Sequence, residues 1–231
     1  VNLAIFDVDG TLLDNLASED ACFSLALSEV LGFTALDTDW SSYEHVSDEG
    51  VAREAYRREF GVSPSPERIA RTIDRFLALL ADAHETERLT PVAGAAELLT
   101  VLPARGWIPA LATGAWGRAT RFKLAAADLA VDHLVLATAE DGPDRAGIVQ
   151  TAWARAVAKQ RDREDPSTFR RVVLIGDGVW DIAAAHALGL PCVGRAAGPR
   201  AAELRACGAE IVLEDLTQVD AVIAALVGRP L

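Results

Sequence analysis

Asp7 and Asp9 stand two residues apart in the run Phe6-Asp7-Val8-Asp9-Gly10-Thr11, directly after a short apolar stretch at residues 1–6. If that stretch is a strand, side chains two apart share a side, and both carboxylates sit together at its C-terminal end. Parallel sheets bind ligands at those ends. Two carboxylates so placed repel one another, and neither has a basic neighbour in the chain. A hard divalent cation resolves the conflict by taking oxygen ligands from both. Once their charge is compensated, one can serve as nucleophile and the other as acid and base. An isolated Asp-x-Asp equally suits a turn in which the carboxylates cap backbone amides, so the pattern needs partners elsewhere in the chain.

The run Phe6-Asp7-Val8-Asp9-Gly10-Thr11-Leu12-Leu13-Asp14 resembles the first signature of the haloacid-dehalogenase-like (HAD) hydrolase superfamily. The resemblance implies that Asp7 is a nucleophile that becomes phosphorylated, and that Asp9 protonates the leaving group and then activates water. It also implies Mg2+, held by the Asp7 carboxylate and the Asp9 backbone carbonyl. Three later motifs fit the same series. Leu111-Ala112-Thr113-Gly114 reads as a strand running into a helix, where a hydroxyl and free amides at the helix N-terminus make an anion site. By resemblance Thr113 and Gly114 bind the transferring phosphoryl group. The third motif of the superfamily supplies a cation that holds nucleophile and phosphate together. Arg145 follows the third apolar run and Gly142-Pro143-Asp144 and opens the next helix; its guanidinium would clamp phosphate through two bonds and cannot lose its charge. The chain has two lysines, Lys123 and Lys159. Lys123 falls ~12 Å along its helix from the anion-binding end, and Lys159 lies late in another helix. Both are expected in solvent, with Lys123 the alternative to Arg145. The fourth motif, residues 173–181, is an apolar strand ending in Gly176-Asp177 with Asp181 four residues on. By resemblance Asp177 binds the metal and Asp181 orients bound water or nearby amides; Asp181 also suits a helix N-cap.

Positioning these groups requires a sheet whose strand ends converge. Apolar runs at 108–112, 134–137 and 172–175 read as further strands, with shorter ones at 191–194 and 210–213. Helical patterns fill 115–127, 144–159 and 181–187, the last closed by Gly189. The alternation predicts an α/β fold, a doubly wound parallel sheet covered on both faces. Residues 15–85 break it with helical patterns alone. Ile69, Ile73, Phe76, Leu77 and Leu80 recur at helical spacing behind a Ser65-Pro66 start, and Gly61 closes the helix before. The expected division is a core at 1–14 and 86–231 with an all-helical cap inserted at 15–85, packed on its own small core. In the superfamily such a cap closes over the site, selects substrates and excludes water. His45, Ser47 and Asp48 read as surface-loop residues that could face the core. Trp40 and Tyr43 read as cap packing or pocket wall.

Composition narrows the partners. Half of the 231 residues are hydrophobic and the net charge is −12. With no Lys/Arg-rich run, nucleic acid or an anionic membrane would meet repulsion; the expected partner is a small phosphorylated metabolite. No apolar run approaches the ~20 residues of a membrane span, and no signal-peptide pattern precedes the first strand, so cytoplasmic residence is expected. Cys22, Cys192 and Cys207 are too scattered for a zinc or disulfide framework and are expected as buried packing. The insertion holds no lysine, which leaves the Schiff-base chemistry of phosphonate-cleaving relatives without a residue. Asp9 argues against the dehalogenating branch. Three readings remain: a magnesium-dependent phosphatase working through an aspartyl-phosphate, a phosphosugar mutase, and a non-catalytic phosphate- or metal-binding module. The first is the expectation.

Overall fold

A computed structural model of the chain describes residues 1–14, 16–161 and 169–228. β1 (Asn2–Phe6) is followed by three helices, α1 (Leu16–Leu31), α2 (Asp48–Phe60) and α3 (Pro66–Thr86), before the chain returns through α4 (Ala95–Val101). Then come β2 (Trp107–Ala112), α5 (Gly117–Ala126), β3 (Val135–Ala137), α6 (Arg145–Arg161), β4 (Val172–Gly176), α7 (Val179–Leu188), β5 (Cys192–Arg195), α8 (Gly198–Ala206), β6 (Ile211–Leu213) and α9 (Val219–Val227). Asn15, where the insertion is expected to begin, lies outside the described residues.

All six strands among the described residues pair in parallel, in the order β3-β2-β1-β4-β5-β6. β1 is central, and the chain order reverses between it and β4, which opens a crevice at their C-terminal ends. Its side chains alternate between two faces. Ala4 and Phe6 pack with Leu98, Leu124, Val222 and Leu226, while Leu3 and Ile5 pack with Ile148, Val149, Ala152 and Ala184. Burial on both faces explains why β1 and β4 read as unbroken apolar runs. Each fully buried Leu, Ile or Phe here is worth roughly 1.5–3 kcal/mol. The register sets Phe6 between Leu111 of β2 and Ile175 of β4. The next residues on all three strands, Asp7, Thr113 and Asp177 among them, therefore emerge together.

The insertion forms as its sequence dictates. Ser65 accepts the Arg68 amide (3.3 Å) ahead of Pro66 at the start of α3, and Gly61, in the left-handed region at φ 72°, ends α2. Its apolar cluster is not self-contained, however. Phe23, Leu27, Tyr56, Phe76 and Leu80 pack together with Trp116, Ala119 and Ala139 from beyond residue 85. Trp116 is fully buried, with ring centroids 5.6 Å from Phe23 and 6.2 Å from Phe76. The expected separate core is thus a shared one, because α3 runs against α5. Among the cysteines Cys22 is buried, Cys192 half-buried and Cys207 exposed. The packing expectation fails at Cys207, which caps the C-terminus of α8. No described helix is long and apolar enough to cross a membrane.

Candidate active site

Asp7 leaves β1 with its amide donating to the Ile175 carbonyl of β4 (2.9 Å). That contact carries its carboxylate to those of Asp177 and Asp181, and one oxygen from each lies within 4.8 Å of the others. All three are almost completely buried. Gly10 makes the approach of β1 and β4 feasible: it holds φ +77°, and a Cβ there would stand 2.2 Å from Asp177 Oδ2. Only glycine fits both the left-handed backbone and the gap. The Thr11 hydroxyl reaches Asp7 Oδ2 (3.5 Å) and Asp177 Oδ1 (3.4 Å).

Two arginines face this cluster. Arg145, the first residue of α6, donates from Nη2 to Asp7 Oδ1 (2.7 Å) and from Nε to Asp181 Oδ1 (2.8 Å). The other Asp181 oxygen accepts the Gly178 amide (3.0 Å) at the start of α7, so Asp181 caps that helix while orienting Arg145. Arg200 of α8 donates to Asp177 Oδ2 (2.9 Å) and to the Asp177 carbonyl (3.1 Å). The cations do not fully compensate the acids. Burial, opposed by Arg145 and reinforced by Asp181 and Asp177, holds the Asp7 carboxyl well above the usual range. Burial and then Asp181 push Asp177 up to about 7. Burial alone would push Arg145 down, but Asp181 and Asp7 more than reverse it. Three buried carboxylates, two of them held above their usual range, offer hard oxygen donors in a space that suits a small divalent cation, so the residues present fit Mg2+.

Thr113 and Gly114 border the same crevice. Gly114 lies against the guanidinium: a Cβ there would meet Arg145 Nη1 at 2.5 Å. The Thr113 hydroxyl accepts the Ala115 amide (3.1 Å), which delays the start of α5 to Gly117 from the expected 115. The next amides are not free, contrary to expectation. The Trp116 amide donates to Asp48 Oδ2 (2.8 Å) and the Gly117 amide to both Glu140 oxygens (3.1 Å each). Carboxylates of the protein itself take the positive end of α5, since buried helix-terminal amides must find acceptors. What remains for an external anion is Thr113, Gly114 and Arg145.

Asp9 is held by a different cation. Its Oδ2 accepts from Lys123 Nζ (2.6 Å), and Lys123 also pairs with Glu19 of α1. Lys123 has 0% exposure, which corrects its expected solvation. It also stands against Asp9, away from the Asp7–Arg145 pair. Lys159 conforms better: it is exposed and donates to the His133 carbonyl. Ser47 and Asp48 likewise face inward. Ser47 is buried and caps α2 by accepting the Gly50 amide (3.1 Å), and the Asp48 amide donates to the Gly114 carbonyl (2.8 Å). Burial pushes the Asp48 carboxyl up to about 7, against Lys123 and the Trp116 amide.

A cavity of about 430 Å³ opens on Asp7, Asp9, Thr113, Gly114 and Arg145. Phe23, Trp40 and Val51 from the insertion wall it, with Trp180 and Arg200 from the sheet side. The structure thus brings together every candidate residue of the four motifs. Sequence reasoning missed Glu19 and Arg200, and it misplaced Lys123, named only as the alternative to Arg145 and expected in solvent. Lys123 carried a signal: it follows Trp116, Ala119 and Thr120 by seven, four and three residues, on the buried stripe of α5.

Residues 1–189 match the family model for haloacid dehalogenase-like hydrolases, and the chain belongs to that family. Solved structures of similar fold include a hydrolase from Pseudomonas syringae (22% identity, 96% of this chain and 98% of that one, TM-score 0.72). Another is CbbY from Rhodobacter sphaeroides in complex with phosphate (20%, 95% and 96%, TM-score 0.68). A third is a Bacteroides vulgatus protein provisionally described as a β-phosphoglucomutase (18%, 98% and 88%, TM-score 0.71). Comparison with curated proteins gives no match.

Proposed function

We propose that this hydrolase is a magnesium-dependent phosphatase that cleaves a small phosphomonoester through an aspartyl-phosphate on Asp7. The observation that carries the reading is the Arg145 bridge, 2.7 Å to Asp7 and 2.8 Å to Asp181, at the mouth of a cavity that also opens on Asp9 and Thr113. A guanidinium so held aims its remaining N–H groups where phosphoryl oxygens would lie. Further support is chemical. CbbY, a protein of similar fold, has been solved with phosphate and with xylulose-1,5-bisphosphate. That Asp7, Asp9, Asp177 and Asp181 fill the roles of the family motifs, and that residues 15–85 serve as the cap, are parts of the same proposal.

Asp7 Oδ attacks phosphorus in line with the departing oxygen. As that P–O bond breaks, Asp9 gives its proton to the leaving alkoxide, and the Asp7–phosphorus bond forms. Water that has surrendered a proton to Asp9 then attacks the same phosphorus; the bond to Asp7 breaks and phosphate leaves, with Asp7 restored as a carboxylate and Asp9 as the protonated acid. Thr113, Gly114 and Arg145 hold the equatorial oxygens, where most of the stabilisation of phosphoryl transfer arises. Mg2+, held by the Asp7 and Asp177 carboxylates and the Asp9 carbonyl, would supply positive charge that lets nucleophile and phosphate approach.

4-Nitrophenyl phosphate tests the reading. Mg2+-dependent release of nitrophenolate by the native protein, abolished in Asp7→Asn, is expected. Release that persists in Asp7→Asn, or no release from this or any ester in a panel of sugar, glycolate and nucleotide phosphates, would overturn it.

A further inference from the structure

Lys123 carries a buried charge that the reaction above does not use. Its ammonium has no exposure and does not line the cavity, so it cannot touch a substrate; whatever it does passes through its partners. One is Asp9 (Nζ–Oδ2 2.6 Å) and the other is Glu19, itself buried, from the first helix of the insertion. Desolvating a lysine costs several kcal/mol unless close opposite charges repay it. Here Asp9, Glu19 and the nearby Asp48 do so, and they raise its pKa although burial opposes this. The nucleophile has its own cation in Arg145, 2.7 Å away. The two buried cations therefore divide the two carboxylates of the first motif between them.

We infer that Lys123 and Glu19 are a positioning pair that holds the Asp9 carboxyl in line with the leaving oxygen, making the seating of α1 on α5 a condition for proton delivery. The inference rests on the phosphatase reading. The geometry supports it in three ways. Asp9 sits after the end of β1 on a turn built around Gly10, where one carboxylate oxygen needs an anchor to fix its rotamer. Lys123 reaches that oxygen from the side of α5, a helix held to the sheet by Leu124. Glu19 joins the insertion to the same ammonium, so displacement of α1 would leave Lys123 with Asp9 as its nearer acid.

Aryl phosphates of graded leaving-group basicity provide the test: 2,4-dinitrophenyl, 4-nitrophenyl and phenyl phosphate. The kcat/KM for each covers only the steps up to departure of the phenolate. Dinitrophenolate leaves without a proton, whereas phenolate needs one. Of the ~10²–10⁴-fold contributed by a well-placed acid, a shifted carboxyl forfeits about 10²-fold. Lys123→Met should therefore lower kcat/KM for phenyl phosphate by about that factor while changing 2,4-dinitrophenyl phosphate less than about threefold. Glu19→Gln, which keeps a hydrogen-bond acceptor for the ammonium and leaves Lys123 on Asp9, should steepen the dependence in the same direction by a smaller amount. It also carries the test if Lys123→Met does not fold. An equal loss on all three esters in the folded variants, or no change on any, overturns the inference and leaves the phosphatase reading intact. If the native protein hydrolyses none of the three, the phosphatase reading falls first.

Discussion

Arg145 does two jobs with one planar group. Nη2 serves the carboxylate of Asp7 while Nε serves that of Asp181, at 2.7 and 2.8 Å. A guanidinium can present two donors at fixed separation; an ammonium is a single compact charge at the end of a flexible stem. Arg145→Lys keeps the charge and so isolates geometry. Asp181 would retain only the Gly178 amide, and the cation would lose its fixed orientation above Asp7. We expect a fall of roughly 10²–10³ in kcat/KM for 4-nitrophenyl phosphate, the usual cost of removing one preorganised donor, with the melting temperature shifted little. A loss below about threefold would mean that charge alone suffices, and the bridge would lose its place in the argument. The glycine opposite is equally constrained: with Asp177 Oδ2 only 2.2 Å from where its Cβ would be, Gly10 leaves no room for a side chain.

At the scale of elements, the start of α5 is where insertion and sheet meet. The Trp116 amide is capped by Asp48 (2.8 Å), the Trp116 indole donates to Glu49 Oε2 (2.9 Å), and Gly117 is held by Glu140. A carboxylate at this positive helix end is favourable, yet burial lifts Asp48 to about 7, above the ~3.9 of an unfolded chain. The native state therefore binds this proton more tightly than the unfolded state does. The stability from the neutral acid is fully present below about pH 4, falls between 4 and 7, and is lost above about 7. Asp48→Asn keeps an oxygen for the Trp116 amide and removes the titration. Chemical denaturation from pH 4 to 8 should show the variant gaining on the native protein as pH rises; a pH-independent difference would show that Asp48 ionises normally. This contact also marks where the sequence ceased to be legible. β1 and β4 were plain because strands buried on both faces read as continuous apolar runs, and α3 because Ser65, Pro66 and its apolar spacing agree. The capping of α5 by Asp48 and Glu140 was not, since periodicity reports which face of a helix is buried and says nothing of which element supplies the partner. Arg200 was hidden for the same reason: it meets Asp177 only through the way α8 packs beside β5 and β6.

For the molecule as a whole, the net charge of −12 sets the background. Self-repulsion destabilises the compact state, and any added salt relieves part of it by screening. Specific occupation of the Asp7–Asp177 site must therefore be distinguished from general relief. An ion that binds the native state alone stabilises by mass action, about 2.7 kcal/mol at a hundredfold excess over its dissociation constant. For a chain of this size that corresponds to ~5–10 °C in melting temperature. At constant ionic strength, balanced with NaCl, Mg2+ should raise the native melting temperature by this order, and phosphate mimics such as fluoroberyllate should add to the rise once the ion is present. Asp177→Asn removes one carboxylate of the three that lie within 4.8 Å and should be more stable without Mg2+, having shed a buried charge whose pKa is raised to about 7. The same variant should lose most of the Mg2+ response. If it keeps the full response, the cation is acting on the diffuse negative field, and the buried carboxylates at the ends of β1 and β4 are not where it binds.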